Sequence, residues 1–240
     1  MLKRVEDYSK VLPIVEVYTA VQSEGSRQGY PTIVVRTSGC THRCYFGEGG
    51  WCDSWYTSIH PEKGKYTFND IIKMYDENPH ITEMMLTGGS PTMHPSLVNE
   101  LTHLANERNI FVTIETEGSH FLPTDYPIDL LSISPKFSNS IPVLGVKTPQ
   151  GAITDEKMVT RHNKLRLNKD AIKKSINYHH DYHIKPVLDK ELSMVGEVEE
   201  FLNELEIPNE KVWAMPAGDT RVSLMESYPV VMDFVRDKGW

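Results

Sequence analysis

The chain has 240 residues, of which 39% are hydrophobic and 24% are charged, and its formal net charge is −8. This length is enough for one sizeable core, so we expect a single domain over residues 1–240. The negative charge leaves no electrostatic footprint for nucleic acid or an anionic membrane, and no run of 18 apolar residues predicts a transmembrane helix. We therefore expect a small-molecule partner, and the lack of a signal-peptide pattern predicts a cytoplasmic protein.

Short apolar or β-branched runs alternate with helical patterns along the chain. Several of the runs are almost continuously apolar, which is typical of buried parallel strands. Thr67 is a candidate N-cap for the first helical pattern, and the later patterns place leucine and valine on one face. The predicted strands are 32–36, 84–87, 110–114, 130–133, 183–188 and 212–215, and the predicted helices are 68–77, 97–107 and 195–205.

Two parts of the chain fit this alternation poorly. The segment around 137–168 has turn-forming residues, no clear helical period and the basic residues Arg161, Lys164 and Arg166. We interpret it as a variable polar crossover that partly covers the site, because the net charge disfavours the alternative of a nucleic-acid patch. A final helix is expected from about Arg221, with an interruption near Pro229.

The alternation predicts a parallel α/β fold, which is either an open sheet or a barrel. Ligands of both architectures bind at the carboxyl ends of the strands. Residues that can carry chemistry follow the predicted strands at this edge. They are Cys40 after the first strand, Gly88, Gly89 and Ser90 after the second, Glu115 at the end of the third, and Ser134 and Lys136 after the fourth.

All three cysteines of the chain, Cys40, Cys44 and Cys52, lie in one short stretch. Three thiolates are one fewer than a closed four-cysteine site needs, so a metal centre that they share has an open coordination position. Three interpretations stay open: unrelated buried thiols, a structural zinc site with His42 as fourth ligand, and an iron–sulfur cluster. The zinc site fits poorly because the gap between Cys44 and Cys52 is longer than such sites use.

The spacing Cys-x3-Cys, followed by a third cysteine directly after Trp51, resembles the cluster loop of the radical S-adenosylmethionine (SAM) enzymes. The usual gap before the third cysteine is two residues, and a longer gap resembles some members of the 7-carboxy-7-deazaguanine synthase family. This resemblance implies a partial (β/α)6 TIM-like barrel with a 4Fe–4S cluster on Cys40, Cys44 and Cys52. It also implies SAM on the open iron, and chemistry by an adenosyl radical without an acid or base residue.

The segment 87–91 resembles the Gly-Gly-Glu-Pro strand end that receives the SAM amino group, with Ser90 in place of the acidic residue. Taken alone, Gly-Gly-Ser-Pro is also typical of an ordinary turn. Strand-end hydroxyls and carboxylates suit the SAM ribose, and an ammonium suits its carboxylate. The SAM-binding residues that the resemblance implies are Trp51, Gly88, Gly89, Ser90, Glu115, Ser134 and Lys136.

The first third of the chain carries the expected substrate contacts. Residues 21–25 resemble the Leu-Gln-Gly-Glu-Gly segment of the deazaguanine synthases, which implies that Gln22 and Glu24 bind the amino-pyrimidinone edge of a pterin. Arg36 is expected to clamp the pterin carboxylate, with a structural ion pair as the alternative, and Gly89 completes the implied substrate set. Ser54, which follows Asp53, is implied to bind Mg²⁺, with an ordinary turn as the alternative.

The resemblance implies a lyase that converts 6-carboxy-5,6,7,8-tetrahydropterin to 7-carboxy-7-deazaguanine with release of ammonia, as in queuosine and other 7-deazapurine biosynthesis. A flavodoxin or ferredoxin as electron donor and a homodimer are implied as well. The alternatives are an activating enzyme of the glycyl-radical type and a non-catalytic zinc-stabilised binding module. Family members commonly continue past the last helix into a segment with Arg and His, so a short C-terminus is expected for a chain that stops at Trp240.

Overall fold

A computed structural model describes residues 2–46, 50–218 and 220–240 of the chain. Six strands form one sheet, in which strands that are neighbours in sequence are also neighbours in space. The first pair is antiparallel, and every later strand is parallel to the one before it. The strands are β1 (Ile14–Val21), β2 (Pro31–Thr37), β3 (Glu83–Gly88), β4 (Phe111–Thr116), β5 (Leu130–Ile133) and β6 (Tyr182–Ile184). The predicted parallel sheet is confirmed, whereas β1 is an addition that the sequence pattern did not predict.

A second, two-stranded parallel sheet continues the series. It pairs β7 (Val187–Leu188) with β8 (Met215–Pro216), and Ile184 of β6 also bridges to Val212 in parallel. The strand predicted over 183–188 is therefore divided, because Pro186 has no N–H to donate to a sheet. Because β7 continues the path of β6 and β8 adds one strand beside it, β2 to β8 form a series of six parallel strands. Among the described residues β8 does not pair with β1, so the sheet is open, as in a partial barrel.

Seven helices are found in the described part of the chain, and all but the last lie between strands of the two sheets. The capping box at the start of the helix Phe68–Glu77 has the Thr67 hydroxyl accepting the N–H of Asp70, as its N-cap role predicts. No helix of the described residues is long and apolar enough to cross a bilayer. The helices are α1 (Trp55–Ser58), α2 (Phe68–Glu77), α3 (Pro95–Arg108), α4 (Glu156–Leu165), α5 (Lys169–Tyr178), α6 (Val195–Glu204) and α7 (Arg221–Lys238).

The hydrophobic core lies between one face of the large sheet and the helices that pack on it. Ile33, Leu86 and Ile114 on the strands are buried in one cluster with Phe68 of α2 and Leu101 of α3. Successive side chains of a strand point to opposite faces, so the positions between these apolar residues define the other face. The register aligns polar side chains there, namely Arg36, Thr87, Glu115, Ser132 and His183.

The crossover before α5 is more regular than its sequence predicts. It contains α4, which begins after the N-cap Asp155, whose side chain accepts the N–H of Met158. The helix escaped prediction because His162 is its only buried residue in the described structure, which leaves almost no apolar stripe. Three hydrogen bonds join the crossover to the cysteine loop, from Tyr45 N to Ser140 O, from Trp51 Nε1 to Lys147 O and from Arg43 N to His162 Nδ1, and a fourth joins it to His60, after α1, through Thr148.

The last helix is continuous, so the interruption expected near Pro229 is wrong. Pro229 lies inside α7 and is exposed, as is Met225 one turn earlier, whose carbonyl the proline leaves without an intrahelical donor. Water can satisfy a carbonyl at such a position. Val231, two residues after the proline, is fully buried and packs this half of the helix against the core.

Candidate functional site

The carboxyl ends of β2 and β3 are packed backbone against backbone. Gly88 has a φ of +125°, and a Cβ atom at this position would collide with the carbonyl oxygen of Thr37. A Cβ atom on Gly89 would collide with the carbonyl oxygen of Gly39, and the Gly89 N–H donates to the Thr37 carbonyl at 3.1 Å. Only glycine permits this approach, which holds the end of β3 directly beside the segment that leads into Cys40.

The three cysteines are free thiols, of which Cys44 is buried and Cys40 and Cys52 are half-buried. The N–H of Cys52 donates to the carbonyl of Cys44 at 3.0 Å, which folds the described ends of the loop together. Burial, together with the charges of Glu117 and Cys52, raises the pKa of Cys40 to about 12, and burial raises the pKa of Cys44 well above its usual value. Burial raises the pKa of Cys52 as well. Thiolates in this setting require a cationic centre, and the donor set therefore fits an iron–sulfur cluster.

The ammonium of Lys136 faces the same region from the loop after β5. It lies close enough to act against the burial that raises the pKa of Cys44 and of Cys52. Its Nζ atom donates to the hydroxyl of Ser134 at 2.9 Å. The structure thus brings these two residues of the expected SAM set together, next to the thiols.

The buried carboxylate of Glu117, directly after β4, lies beside the thiol of Cys40. Ser90 is fully buried, and its hydroxyl donates to Glu117 Oε1 at 2.9 Å, while the Thr41 hydroxyl donates to the same oxygen at 3.2 Å. Glu117 Oε2 is buried without a hydrogen-bond partner among the described residues. The ligand atoms of Cys40, His42 and Glu117 all lie within 4.8 Å of one another. Glu117 was not among the site residues predicted from the sequence.

An ion network lies on the polar face of the sheet at its carboxyl edge. Lys185 is 6% exposed, and its ammonium contacts Glu24 at 2.5 Å and Glu115 at 2.8 Å. Glu115 also accepts hydrogen bonds from Ser132 at 3.3 Å and Thr87 at 3.4 Å. Burial disfavours the charge on both groups, but their attraction outweighs it, so the pKa of Glu115 is lowered and that of Lys185 is raised. Glu115 and Lys185 are therefore both ionised around neutral pH.

Arg36 lies on the same polar face and has partners within the chain. Its Nε atom donates to Glu16 Oε2 at 2.6 Å, and Nη2 donates to the hydroxyl of Tyr18 at 3.1 Å. The Tyr56 hydroxyl donates to Glu16 as well. The described contacts are those of an ion pair, so a substrate carboxylate at Arg36 would have to share the guanidinium with Glu16.

Gln22 is separated from the rest of the expected substrate set. Its side-chain amide donates to Glu83 at 3.0 Å, at the amino end of β3, and the same carboxylate is paired with Arg27. The Arg27 guanidinium lies 3.6 Å from the ring centroid of Tyr30. In the loop after β1, Gln22 therefore contacts the amino end of the sheet, whereas Glu24 contacts Lys185.

Trp51 and Ser54 flank the third cysteine. The indole N–H of Trp51 donates to the carbonyl of Lys147 in the crossover at 2.9 Å. The Ser54 hydroxyl donates to Asp53 Oδ1 at 3.2 Å, and Ser54 is the N-cap residue of α1 without a capping hydrogen bond from its side chain. The hydroxyl and the Asp53 carboxylate together offer oxygen ligands of the type that Mg²⁺ takes.

His183 is a further functional candidate that the sequence analysis missed. It is 3% exposed, both ring nitrogens lack a hydrogen-bond partner among the described residues, and burial lowers its pKa to about 4. A Cβ atom on Gly25 would collide with the imidazole, so glycine is required for the loop to pass. A visible signal was the alternation that places His183 and Lys185 on one face of the predicted strand.

Comparison with known proteins identifies the class to which this fold and this thiol loop belong. The family model of the radical SAM superfamily matches residues 34–202, which is more than half of the chain. The sequence is 35% identical over 219 residues to 7-carboxy-7-deazaguanine synthase of Halobacterium salinarum, covering 89% of this chain and 80% of that protein. It is 29% identical over 229 residues to 7-carboxy-7-deazaguanine synthase of Rhodopirellula baltica, covering 95% and 82%.

A solved structure shares the fold. The crystal structure of QueE from Escherichia coli superimposes with a TM-score of 0.59 at 18% identity, covering 95% of this chain and 91% of that chain. Together with the six parallel strands and the three-cysteine loop, these matches define a radical SAM enzyme. Within that superfamily, the chain belongs to the 7-carboxy-7-deazaguanine synthase family. Radical SAM enzymes use a 4Fe–4S cluster and SAM, and the buried thiols and Lys136 fit these groups.

Proposed function

We propose that this chain converts 6-carboxy-5,6,7,8-tetrahydropterin to 7-carboxy-7-deazaguanine with release of ammonia, within 7-deazapurine biosynthesis. The observation that carries the proposal is membership of the 7-carboxy-7-deazaguanine synthase family over most of the chain. When bound, the cluster and SAM supply a radical that abstracts a hydrogen atom. The protein's own part is to bind and orient the two small molecules and to keep water away.

The thiol corner is proposed to hold the cofactors. Cys40, Cys44 and Cys52 bind the cluster, which the crossover covers through its hydrogen bonds to the loop. Gly88, Gly89 and Ser90 are proposed to line the SAM site together with Trp51, Glu115, Ser134 and Lys136. A half-buried ammonium beside the thiols suits the SAM carboxylate.

The polar face of the sheet is proposed to hold the pterin. Glu24 is paired with Lys185, so it can offer a carboxylate acceptor to an amino-pyrimidinone while the ammonium of Lys185 faces an acidic group. Arg36 is proposed to share its guanidinium between Glu16 and the substrate carboxylate, with Gln22 and Gly89 as further contacts. Residues 1–240 are proposed to act as one domain, in a homodimer reduced by a flavodoxin or ferredoxin in the cytoplasm.

The test is an anaerobic assay of the reduced, cluster-loaded protein with SAM, Mg²⁺ and 6-carboxytetrahydropterin. We expect 7-carboxy-7-deazaguanine in excess over the SAM consumed, since the abstracted hydrogen can be returned after rearrangement. The reaction should need no protein substrate. An untouched pterin, with a radical formed on a partner protein instead, would contradict the proposal.

Replacing Arg36 with alanine separates its two interpretations. Losing a desolvated charge-assisted contact costs roughly 2–5 kcal/mol, so use of the pterin should fall by about tenfold or more while SAM binding hardly changes. The matched variant is Glu16→Gln, which removes the ion pair but keeps the guanidinium. If Arg36 binds the substrate, Glu16→Gln retains most of the activity. Equal losses in both variants would leave Arg36 a structural residue.

Replacing Ser54 with alanine tests the proposed Mg²⁺ site. The Ser54 side chain makes no capping bond to α1, so the change should leave the melting temperature, the iron content and SAM binding as they are. Loss of an oxygen ligand should lower turnover and raise the Mg²⁺ concentration needed for half-maximal rate. A titration of rate against Mg²⁺ decides the matter, and an unchanged response would return Ser54 to the turn interpretation.

A further inference from the structure

The Glu117 carboxylate is buried beside the thiol loop with incomplete partners. It is 6% exposed, and its Oε1 atom accepts from the hydroxyls of Ser90 and Thr41. Its Oε2 atom has no hydrogen-bond partner among the described residues. The Nδ1 atom of His42 lies 3.7 Å from Oε1, which is beyond hydrogen-bond distance.

The other buried glutamates of the described chain are each paired with an arginine. Glu100 is paired with Arg4 and also accepts from the Tyr8 hydroxyl, and Glu83 is paired with Arg27. Burying a carboxylate without a cation is costly, so buried carboxylates are normally paired. Glu117 is the one of the three that two neutral hydroxyls hold in place and that has no arginine or lysine. This arrangement keeps a negative charge available for a cationic ligand group.

The location of Glu117 indicates which cationic group it can bind. Its carboxylate and Cys40 Sγ belong to one group of atoms within 4.8 Å, so a cation bound there lies next to the cluster site. Ser90 is the residue at the end of β3 that has no charge to offer, and its hydroxyl is directed to Glu117 instead. The carboxylate at this corner therefore comes from the neighbouring strand β4.

We propose that Glu117 binds the α-ammonium group of SAM and so supplies the negative charge that Ser90 cannot. This inference rests on the proposed function only in that SAM binds at the thiol loop. Ser90 and Thr41 act as positioning residues, because they hold Oε1 and leave Oε2 for the ligand. The variant Glu117→Gln keeps the shape and the acceptor oxygen for both hydroxyls but removes the charge.

The experiment measures equilibrium binding of SAM and of methylthioadenosine to the anaerobic, cluster-loaded protein. Methylthioadenosine lacks the amino-acid part of SAM, so it reports on the nucleoside site alone. Glu117→Gln should keep its iron and weaken SAM binding about thirtyfold, which corresponds to about 2 kcal/mol at 1.4 kcal/mol per decade, while methylthioadenosine binding is unchanged. The change that SAM causes in the electron paramagnetic resonance spectrum of the reduced cluster should require correspondingly more SAM.

Two further variants keep the test decisive. The exchange Ser90→Glu with Glu117→Ser moves the carboxylate to the end of β3 and should recover most of the lost SAM affinity. Glu100→Gln removes a buried carboxylate of α3 that is paired with Arg4, and it should lower the melting temperature without changing SAM affinity.

Three results would overturn the inference: SAM binding of Glu117→Gln equal to that of the wild type, an equal weakening of both ligands, or loss of iron from Glu117→Gln. The last would make Glu117 a metal ligand together with Cys40 and His42. A wild-type protein that binds SAM with the expected dependence on Glu117, but makes no 7-carboxy-7-deazaguanine, would support the inference and contradict the proposed function.

Discussion

Cys44→Ala and Cys52→Ala are each expected to lose most of the bound iron and all SAM cleavage. Each thiolate is proposed to supply a coordination bond, and the chain has no other cysteine outside 40–52 that could replace it. Cys44 is buried and Cys52 is half-buried, so a water molecule from outside is a poor substitute ligand, above all at Cys44. Iron and sulfide content after anaerobic reconstitution, followed by a SAM cleavage assay, gives the measurement.

Tyr45→Phe is the matched control within the same loop. It changes a residue next to Cys44 but keeps the ring that packs 5.0 Å from the ring of Trp51. Iron content and SAM cleavage should equal those of the wild type. Full iron and activity in either cysteine variant would show that the three thiols do not share one cluster.

Lys185→Met is expected to have the largest effect of any change outside the thiol loop. Lys185 is buried, but its partners Glu115 and Glu24 are 28% and 39% exposed, so the loss of stability should be smaller than the roughly 3–5 kcal/mol that breaking a fully buried ion pair from one side typically costs. Because both carboxylates belong to the proposed ligand sites, turnover should be lost as well. The melting temperature of the cluster-loaded protein and its turnover are the two measurements.

Lys211→Met is the control for Lys185. Lys211 pairs with Asp181 at 2.5 Å, but both side chains are partly exposed, and such a pair is worth about 1 kcal/mol or less. Lys185→Arg, which keeps the charge, should recover part of the stability. If Lys185→Met melted with the wild type, Lys185 would have no structural role in the network.

The same network sets a pH dependence. The pKa of Glu115 is lowered in the folded protein, so its contribution to stability is present above its ordinary value and is lost as the pH falls through the lowered one. The pKa of Lys185 is raised, so its contribution is lost only as the pH rises through that raised value. The network therefore stabilises the fold across neutral pH.

The sequence pattern predicted the parallel strands and the helices α2, α3, α6 and α7, but it missed α5, although that helix buries Ala171 and Ile172. The run predicted over 130–133 is β5, and 68–77 is α2 with its predicted N-cap at Thr67. These elements follow local rules, because a buried strand is apolar throughout and a surface helix repeats its apolar positions every turn. The helix α4 has no such stripe, and its stability comes from contacts that are distant in the chain.

The residues of the thiol loop were also readable from the sequence, since all three cysteines fall between 40 and 52. The sequence predicted Glu115 at the end of a strand, but the pattern could not say which partners it meets, and it did not point to Glu117 just after β4. Glu115 meets Lys185, which lies 70 positions away, and Glu117 meets Ser90 and Thr41.

Partner choice at long range depends on the order of the strands and on their register. Arg36 and Gln22 were selected from short segments, yet the register places Arg36 opposite Glu16, and the loop places Gln22 against Glu83 at the other end of the sheet. Residue types and their spacing determined the kind of chemistry available to this chain. Only the packing of β1 and the loops around the parallel strands decided which charges are paired and which carboxylate is left for a ligand, because these contacts join residues that no local pattern connects.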